Sequence, residues 1–142
     1  MDGFEVDYLS VDGQGMISLR GLESKLKKET ILVSIMHVNN EIGTIQPIAQ
    51  CAELVTKHGR AIFHSDCVQS IGRLPISIEA FGVDEITIYA DHINGIKSSG
   101  ALFVRNNSKP NTINFGGGKE NGLRRGQVSV PRAVARQKQV GA

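Results

Sequence analysis

The sequence lacks tryptophan, has only two cysteines and contains no long hydrophobic run. Cys51 and Cys67 are too few for a disulfide framework or for a zinc site, which usually has about four ligands at close spacings, so we expect two free thiols and no metal. The longest apolar run, residues 31–36, is much shorter than the roughly 20 residues of a membrane-spanning helix. The first residues also lack the basic start and apolar stretch of a signal peptide. We therefore expect a cytoplasmic protein that does not bind membranes.

The remaining composition is that of an ordinary globular chain, with 40% hydrophobic and 21% charged residues among 142. This length fits one domain of roughly 100–150 residues, or a piece of a larger protein. The end of the chain is basic, a pattern that favours either a phosphate or nucleic-acid contact or a solvated helix face. The residues are Lys119, Arg124, Arg125, Arg132, Arg136 and Lys138. We favour the solvated face and expect no nucleic-acid partner.

Hydrophobic periodicity predicts alternating strands and helices along most of the chain. A half-buried strand is predicted over residues 4–9 and an amphipathic helix around residues 19–26. Residues 31–36 predict a strand buried on both faces, and a helix follows from Pro47 until Gly59. Further strands are predicted at residues 61–64 and 86–88. This order favours an α/β fold with a mainly parallel sheet flanked by helices.

Polar side chains follow three of the predicted strands. They lie in HVNNE (37–41), SDCVQ (65–69) and YADH (89–92). Ligands of open α/β sheets bind at the carboxyl ends of the strands, so we expect the functional site there. His64, at the end of an apolar strand, is expected to be a hydrogen-bonded interior histidine, and His37 is expected to order its loop.

The segment ITIYADHINGIKSSGALFV (86–104) has the pattern of a strand, a glycine-containing loop and a second strand. His92, Asn94 and Lys97 lie in the loop. GIKSSG (95–100) and GGGKENG (116–122) suggest phosphate binding only weakly, because neither fits the GxxxxGK[ST] pattern. Tight turns explain these glycines better.

Four motifs together resemble the cysteine desulfurases, which are pyridoxal-phosphate enzymes of the class V aminotransferase family with fold type I. They are VSIMHVNNEIGTIQPI (33–48), HSDCVQSIGRLPI (64–76), the segment 86–104 and GGGKENGLRRG (116–126). The resemblance extends from about Gly3 to Val134. It implies that residues 1–142 are a central, partial large domain, without the N-terminal part and the C-terminal small domain of the family.

The resemblance also implies a cofactor site for pyridoxal phosphate. Asp66 matches the carboxylate that keeps the ring nitrogen protonated, so that the ring acts as an electron sink. Gln69 matches the residue that hydrogen-bonds the phenolic oxygen, and Asn40 matches the asparagine near cofactor and substrate. Without the resemblance, we would expect Asp66 to be a helix cap or a loop residue, and the side chains of Gln69 and Asn40 to hydrogen-bond loop backbone groups.

Three of the four positions from residue 89 to residue 92 depart from the family pattern, which is a serine, a small residue, a histidine and the Schiff-base lysine. Aligned without gaps, His92 stands at the Schiff-base lysine, Asp91 at a histidine and Tyr89 at a serine. A one-residue gap instead places His92 on the family histidine and deletes the lysine. An imidazole cannot form the imine that a primary amine forms. We therefore count His92 among the cofactor-site positions but expect no intact catalytic residue.

The family reaction removes sulfur from L-cysteine, leaving alanine and an enzyme persulfide that serves iron–sulfur cluster biogenesis. Neither Cys51 nor Cys67 matches the mobile catalytic cysteine, which lies beyond the matched region. We expect the chain to be inactive or impaired in this reaction. The alternative is a non-catalytic module that binds or regulates an intact desulfurase. Expected partners are a second copy of the chain or a full-length homologue.

Overall fold

A computed structural model describes residues 3–89, 99–105, 108, 110, 111, 113 and 116–124. Within these ranges the chain forms three α-helices, four strands and one short 3₁₀ helix. The helices are α1 (Leu19–Lys25), α2 (Ile48–His58) and α3 (Ile78–Phe81), and the 3₁₀ helix is Glu120–Gly122. The strands are β1 (Leu32–Met36), β2 (Ile62–Asp66), β3 (Glu85–Tyr89) and β4 (Gly100–Val104). No helix in these ranges is long and apolar enough to cross a membrane.

The four strands form one sheet in the order β1-β2-β3-β4. β1 is parallel to β2 and β2 is parallel to β3, whereas β4 returns antiparallel to β3. Helices α2 and α3 lie in the connections between the parallel strands, as crossovers require. The predicted α/β class with a mainly parallel sheet is confirmed.

Helix α2 closely follows the sequence prediction. Its buried residues are Ile48, Cys51, Ala52 and Val55, whose spacing of three or four places them on one helical face. Pro47 precedes the first turn and Gly59 ends the helix. The buried face packs into the core that also contains strand residues of β1, β2 and β3. Helix α2 therefore covers one face of the sheet.

The glycine after α3 permits close packing against α2. Gly82 has φ +67°, a left-handed conformation that L side chains rarely adopt. A Cβ at this position would lie 3.3 Å from the Cβ of Ala52. Glycine therefore both ends α3 and allows its approach to the neighbouring helix.

Two predictions for the first third of the chain were wrong. β1 is buried on one face only: Val33 and Ile35 face the core, whereas Leu32 and Ser34 are exposed, because nothing in the described ranges covers the opposite face. Residues 4–9 form no strand and pair with no described strand. They form an extended arm, with the Asp7 carboxylate 3.0 Å from the Lys27 ammonium. Alternating apolar residues indicate which side chains would lie on the same face of a strand, but they do not show whether another strand is present to pair with it.

A buried glutamine joins the turn before α1 to the loop before α2. The Gln46 carboxamide oxygen accepts a hydrogen bond from the Ile17 amide at 3.0 Å, and its nitrogen donates to the Gly15 carbonyl at 2.7 Å. Its own backbone amide donates to the His37 carbonyl at 2.8 Å. Gln46 therefore holds the loop that follows β1.

Replacing Gln46 with alanine is expected to lower the free energy of unfolding by about 1–3 kcal/mol, because it leaves the buried Ile17 amide without its acceptor. Gln50→Ala on the exposed face of α2 is the matched control, with an expected change within about 0.5 kcal/mol. Urea unfolding of both variants measures the difference. Equal stability of the two variants would contradict the bridging role.

Candidate cofactor site

The carboxyl ends of β1, β2 and β3 meet at one edge of the sheet. The His37 amide donates to the Asp66 carbonyl at 2.9 Å, and the Cys67 amide donates to the Thr87 carbonyl at 2.9 Å. The residue that follows β1 is therefore hydrogen-bonded to the last residue of β2, and the residue that follows β2 is hydrogen-bonded to β3. The polar loops that follow β1 and β2 consequently start side by side, as predicted.

Asp66 is half-buried at the end of β2. Its Oδ1 accepts a hydrogen bond from the Val68 amide at 2.9 Å. Its second oxygen has no hydrogen-bond partner within the described ranges, so the carboxylate is oriented but retains an open acceptor. A carboxylate held in this way is suited to a cationic N–H donor.

Gln69 lies in a compact turn that begins directly after Asp66. The Cys67 carbonyl accepts from the amides of Ser70 and Ile71 at 3.1 and 3.0 Å, and the Ser70 hydroxyl also donates to it at 3.2 Å. Gln69 is half-buried, and its carboxamide forms no hydrogen bond with other described residues. It is thus available to a ligand near Asp66.

The loop after β1 is organised by Asn39 rather than by Asn40. The Asn39 carboxamide oxygen accepts from the amides of Glu41 and Ile42 at 2.9 and 3.0 Å. The backbone amide of Asn39 donates to the Thr44 carbonyl at 2.9 Å. Asn40 is exposed, and its side chain has no hydrogen-bond partner in the part of the chain that the structure describes. The backbone-satisfying role considered for Asn40 therefore belongs to its neighbour.

His64 is hydrogen-bonded through both ring nitrogens. Its Nδ1 lies 2.8 Å from Ser34 Oγ, and its Nε2 lies 2.8 Å from Thr87 Oγ1. The prediction of a hydrogen-bonded histidine is confirmed, although it lies on the uncovered face of the sheet rather than in the core. Sequence reasoning missed the two hydroxyl partners, since finding them requires the register between three strands.

His37 is buried, and its Nδ1 has no hydrogen-bond partner among the residues that the structure describes. The ring contacts Phe81 edge-on, with ring centroids 4.7 Å apart and an interplanar angle of 69°. Burial lowers the pKa of His37, because a charged imidazolium is poorly solvated there. The backbone of His37 orders its loop, as predicted. Its imidazole ring, an ionisable group, packs against the apolar ring of Phe81.

Both cysteines are free thiols, as predicted, and both are buried. Burial raises the pKa of the Cys51 thiol to about 11. Burial also raises the pKa of the Cys67 thiol, more than its contacts with Ser65 and Ser70 lower it. Only a thiolate is an effective sulfur nucleophile, so neither residue has the exposed, ionised character of one.

The remaining predicted residues fall between β3 and β4 in the sequence. His92, Asn94 and Lys97 lie outside the described residues. The strand residues that flank this segment, Tyr89 and Gly100, are cross-strand partners at the same edge of the sheet as Asp66. Among the described residues, no three His, Cys, Asp or Glu side chains are grouped so as to hold a metal ion.

A mainly parallel sheet with a carboxylate and two carboxamides at and just beyond its strand ends has polar groups where open α/β domains typically bind ligands. The aminotransferase class-V family profile matches residues 1–129. The chain belongs to the aminotransferase class-V family.

The chain is similar to cysteine desulfurases in particular. It is 45% identical over 132 residues to cysteine desulfurase IscS 1 of Archaeoglobus fulgidus, covering 93% of this chain and 34% of that protein. It is 41% identical over 128 residues to the IscS of Dictyoglomus turgidum, covering 90% and 32%. The chain therefore spans about a third of the length of the curated relatives it matches. The resemblance seen in the four motifs is confirmed.

Solved structures agree with this assignment. A NifS-like protein superposes with a TM-score of 0.93 at 38% identity, covering 97% of this chain and 38% of that chain. SspA in complex with cysteine superposes with a TM-score of 0.92 at 36% identity, covering 98% and 40%. The chain thus has the fold of part of a type I pyridoxal-phosphate enzyme, as the resemblance implied.

The lowered pKa of His37 predicts a pH dependence of stability. Its ordinary pKa is 6.5, so below that pH the unfolded chain takes up a proton that the folded chain resists. The folded state therefore loses stability as the pH falls through the unfolded pKa towards the lowered folded pKa. His37→Phe keeps the edge-on ring contact and is expected to lose less stability between about pH 7 and pH 5 than the wild type.

Urea unfolding at both pH values measures this difference. His58→Gln, an exposed change at the end of α2, is the control and should retain the full acid sensitivity. The assignment to His37 fails if the His37→Phe chain and the wild type lose the same amount.

Proposed function

We propose that this chain supplies the ring-binding side of a pyridoxal-phosphate site in a cysteine desulfurase-like protein, and that by itself it does not desulfurate L-cysteine. The observation that carries the proposal is the Asp66 carboxylate, which is oriented by the Val68 amide and keeps one oxygen open at a strand end. When bound, the cofactor would supply an electron sink for bonds at the substrate Cα.

The chemistry of these residues fits the cofactor ring. Asp66 would accept the hydrogen bond of the protonated ring nitrogen and stabilise its positive charge. Gln69, in the turn after Asp66, would donate its amide hydrogen to the phenolic oxygen. Asn40, at the end of the adjacent loop, has a free carboxamide for cofactor or substrate. The three groups come from neighbouring strand ends and need no rearrangement of the sheet.

The residues at the positions for covalent chemistry support the proposal that the chain by itself does not desulfurate L-cysteine. His92, or a gap, stands where the family has a primary amine, so the chain has no matched residue for covalent attachment of the cofactor. Cys51 and Cys67 are buried, and the pKa of each thiol is raised. The substrate class, L-cysteine, is proposed from the similarity to cysteine desulfurases and to SspA in complex with cysteine.

Asp66→Asn is expected to weaken binding of pyridoxal phosphate by roughly tenfold or more, because a charge-assisted hydrogen bond to the ring nitrogen is lost. Equilibrium dialysis with the cofactor measures this; the chain has no tryptophan to report binding by fluorescence. Glu53→Gln, which removes an exposed carboxylate on α2, is the charge-matched control. An Asp66→Asn chain that binds as tightly as the wild type would rule out the ring-nitrogen role.

His92→Lys is expected to restore covalent attachment, because it returns a primary amine to the family position. Borohydride reduction with bound cofactor, followed by peptide mapping, should find the modification at residue 92 of this variant and at no residue of the wild type. His58→Lys is the control for a lysine introduced elsewhere. Stoichiometric modification of a wild-type lysine such as Lys97, or an unmodified residue 92 in the variant, would refute this part of the proposal.

A second candidate function is binding to another desulfurase chain, either a second copy or a full-length homologue. The observation that favours it is the exposure of apolar side chains on the arm and on the uncovered sheet face. Phe4 is 66% exposed, Leu32 is 55% and Leu102 is 51%. Large apolar side chains grouped at a surface are typical of contact regions. Retention of the chain by a full-length homologue during purification distinguishes this role from cofactor binding alone.

A further inference from the structure

Three polar side chains form a hydrogen-bonded row across the uncovered face of the sheet. Ser34 of β1, His64 of β2 and Thr87 of β3 make up this hydroxyl–imidazole row. The Ser34 Oγ–His64 Nδ1 and His64 Nε2–Thr87 Oγ1 distances are both 2.8 Å. Both ring nitrogens are occupied, so the imidazole plane is held in one orientation.

The row lies directly beside the candidate cofactor carboxylate. Asp66 follows His64 by two residues on β2, and alternate residues of a strand share a face. Thr87 is the cross-strand partner of Asp66 in the register of β2 and β3. His64 and Thr87 are therefore neighbours of Asp66 on the uncovered face, one along the strand and one across it.

The chemistry of a neutral imidazole allows only two arrangements of protons in the row. One ring nitrogen donates and the other accepts, whereas a hydroxyl can do either. In one arrangement Nδ1–H donates to Ser34 and the Thr87 hydroxyl donates to Nε2. In the other, Ser34 donates to Nδ1 and Nε2–H donates to Thr87 Oγ1, which leaves the Thr87 hydrogen free to point away from His64.

The carboxylate beside Thr87 favours the second arrangement. A negative charge attracts the positive end of a neighbouring hydroxyl dipole. With Nε2–H on its oxygen, Thr87 can turn its hydrogen towards Asp66. Exposed Ser34 loses nothing by donating to Nδ1, because its oxygen can still accept from water.

We propose that His64 is a positioning residue for Asp66: it acts through Thr87 and orients that hydroxyl so that its dipole supports the ionised carboxylate facing the cofactor ring nitrogen. This role rests on the proposed function of Asp66. His64 itself touches no reacting atom. Its effect is confined to interactions that depend on the charge of Asp66, which separates it from a purely structural hydrogen bond between strands.

The proposal therefore concerns one atom of the ligand. Pyridoxal phosphate carries a ring nitrogen that can pair with Asp66, whereas 1-deazapyridoxal phosphate carries a C–H group at that position. Losing the row should weaken binding of the first compound more than binding of the second. A general loosening of the sheet would weaken both equally.

The test measures the ratio of the two affinities by equilibrium dialysis with the complete chain. His64→Phe removes the imidazole, and Thr87→Val removes only the hydroxyl at nearly constant volume, so that a folded variant remains if the first fails to fold. Each change is expected to lower the preference for pyridoxal phosphate over the deaza analogue by up to about fivefold, because a hydroxyl dipole beside a charge contributes no more than one hydrogen bond. Ile62→Val, on the same strand and face but outside the row, should leave the ratio unchanged.

The outcomes separate the two proposals. Equal losses for both compounds in Thr87→Val overturn the positioning role and leave the proposed function standing. A wild-type chain that binds neither compound contradicts the proposed function, and the positioning role falls with it.

A second measurement needs no cofactor. Long-range ¹H–¹⁵N NMR spectra of the wild-type chain distinguish the two imidazole tautomers, and comparison with His64→Phe assigns the His64 signals. The proposal requires the Nε2–H tautomer. The Nδ1–H tautomer would overturn it, because the Thr87 hydrogen would then be used by His64.

Discussion

The hydrogen bonds that join β1, β2 and β3 near their carboxyl ends fix the register that places Asp66 on the uncovered face. The His37 amide binds the Asp66 carbonyl, and the Cys67 amide binds the Thr87 carbonyl. If β2 shifted by one residue against β1 and β3, its side chains would move to the other face. Asp66 would then point into the helix-covered core, where a carboxylate without a partner is strongly unfavourable. Parallel register is thus the condition on which the candidate chemistry depends.

The two faces of the sheet differ sharply in chemistry. The apolar core, which includes both thiols, lies between α2 and the face that it covers, and burial there holds the pKa of Cys51 and of Cys67 above the ordinary range. The opposite face carries the hydroxyl–imidazole row and Asp66. Because side chains of a strand alternate between faces, the apolar and polar functions occupy alternate positions of the same five-residue strand. The residues of β2 that pack into the core are therefore different from those that form the candidate site.

Much of this arrangement could be predicted from the sequence, for identifiable reasons. The spacing of the buried residues of α2 and the apolar run of β1 are local signals, and the order of elements implies a parallel sheet. The motif around Asp66 and Gln69 predicted a cofactor site at the strand ends, and this site stays a prediction. Partners across strands could not be predicted, because Ser34 and Thr87 become neighbours of His64 only once the register is known. Helix α3 was missed, since its four residues are too few to show a period.

The pairing of Tyr89 with Gly100 has a consequence for how such a domain changes over evolutionary time. Both ends of the intervening segment are anchored by the antiparallel ladder of β3 and β4. Backbone hydrogen bonds hold this ladder, and they do not depend on which side chains the residues between the two strands carry. A sheet of this kind can therefore persist in a lineage while the residues that connect its strands change.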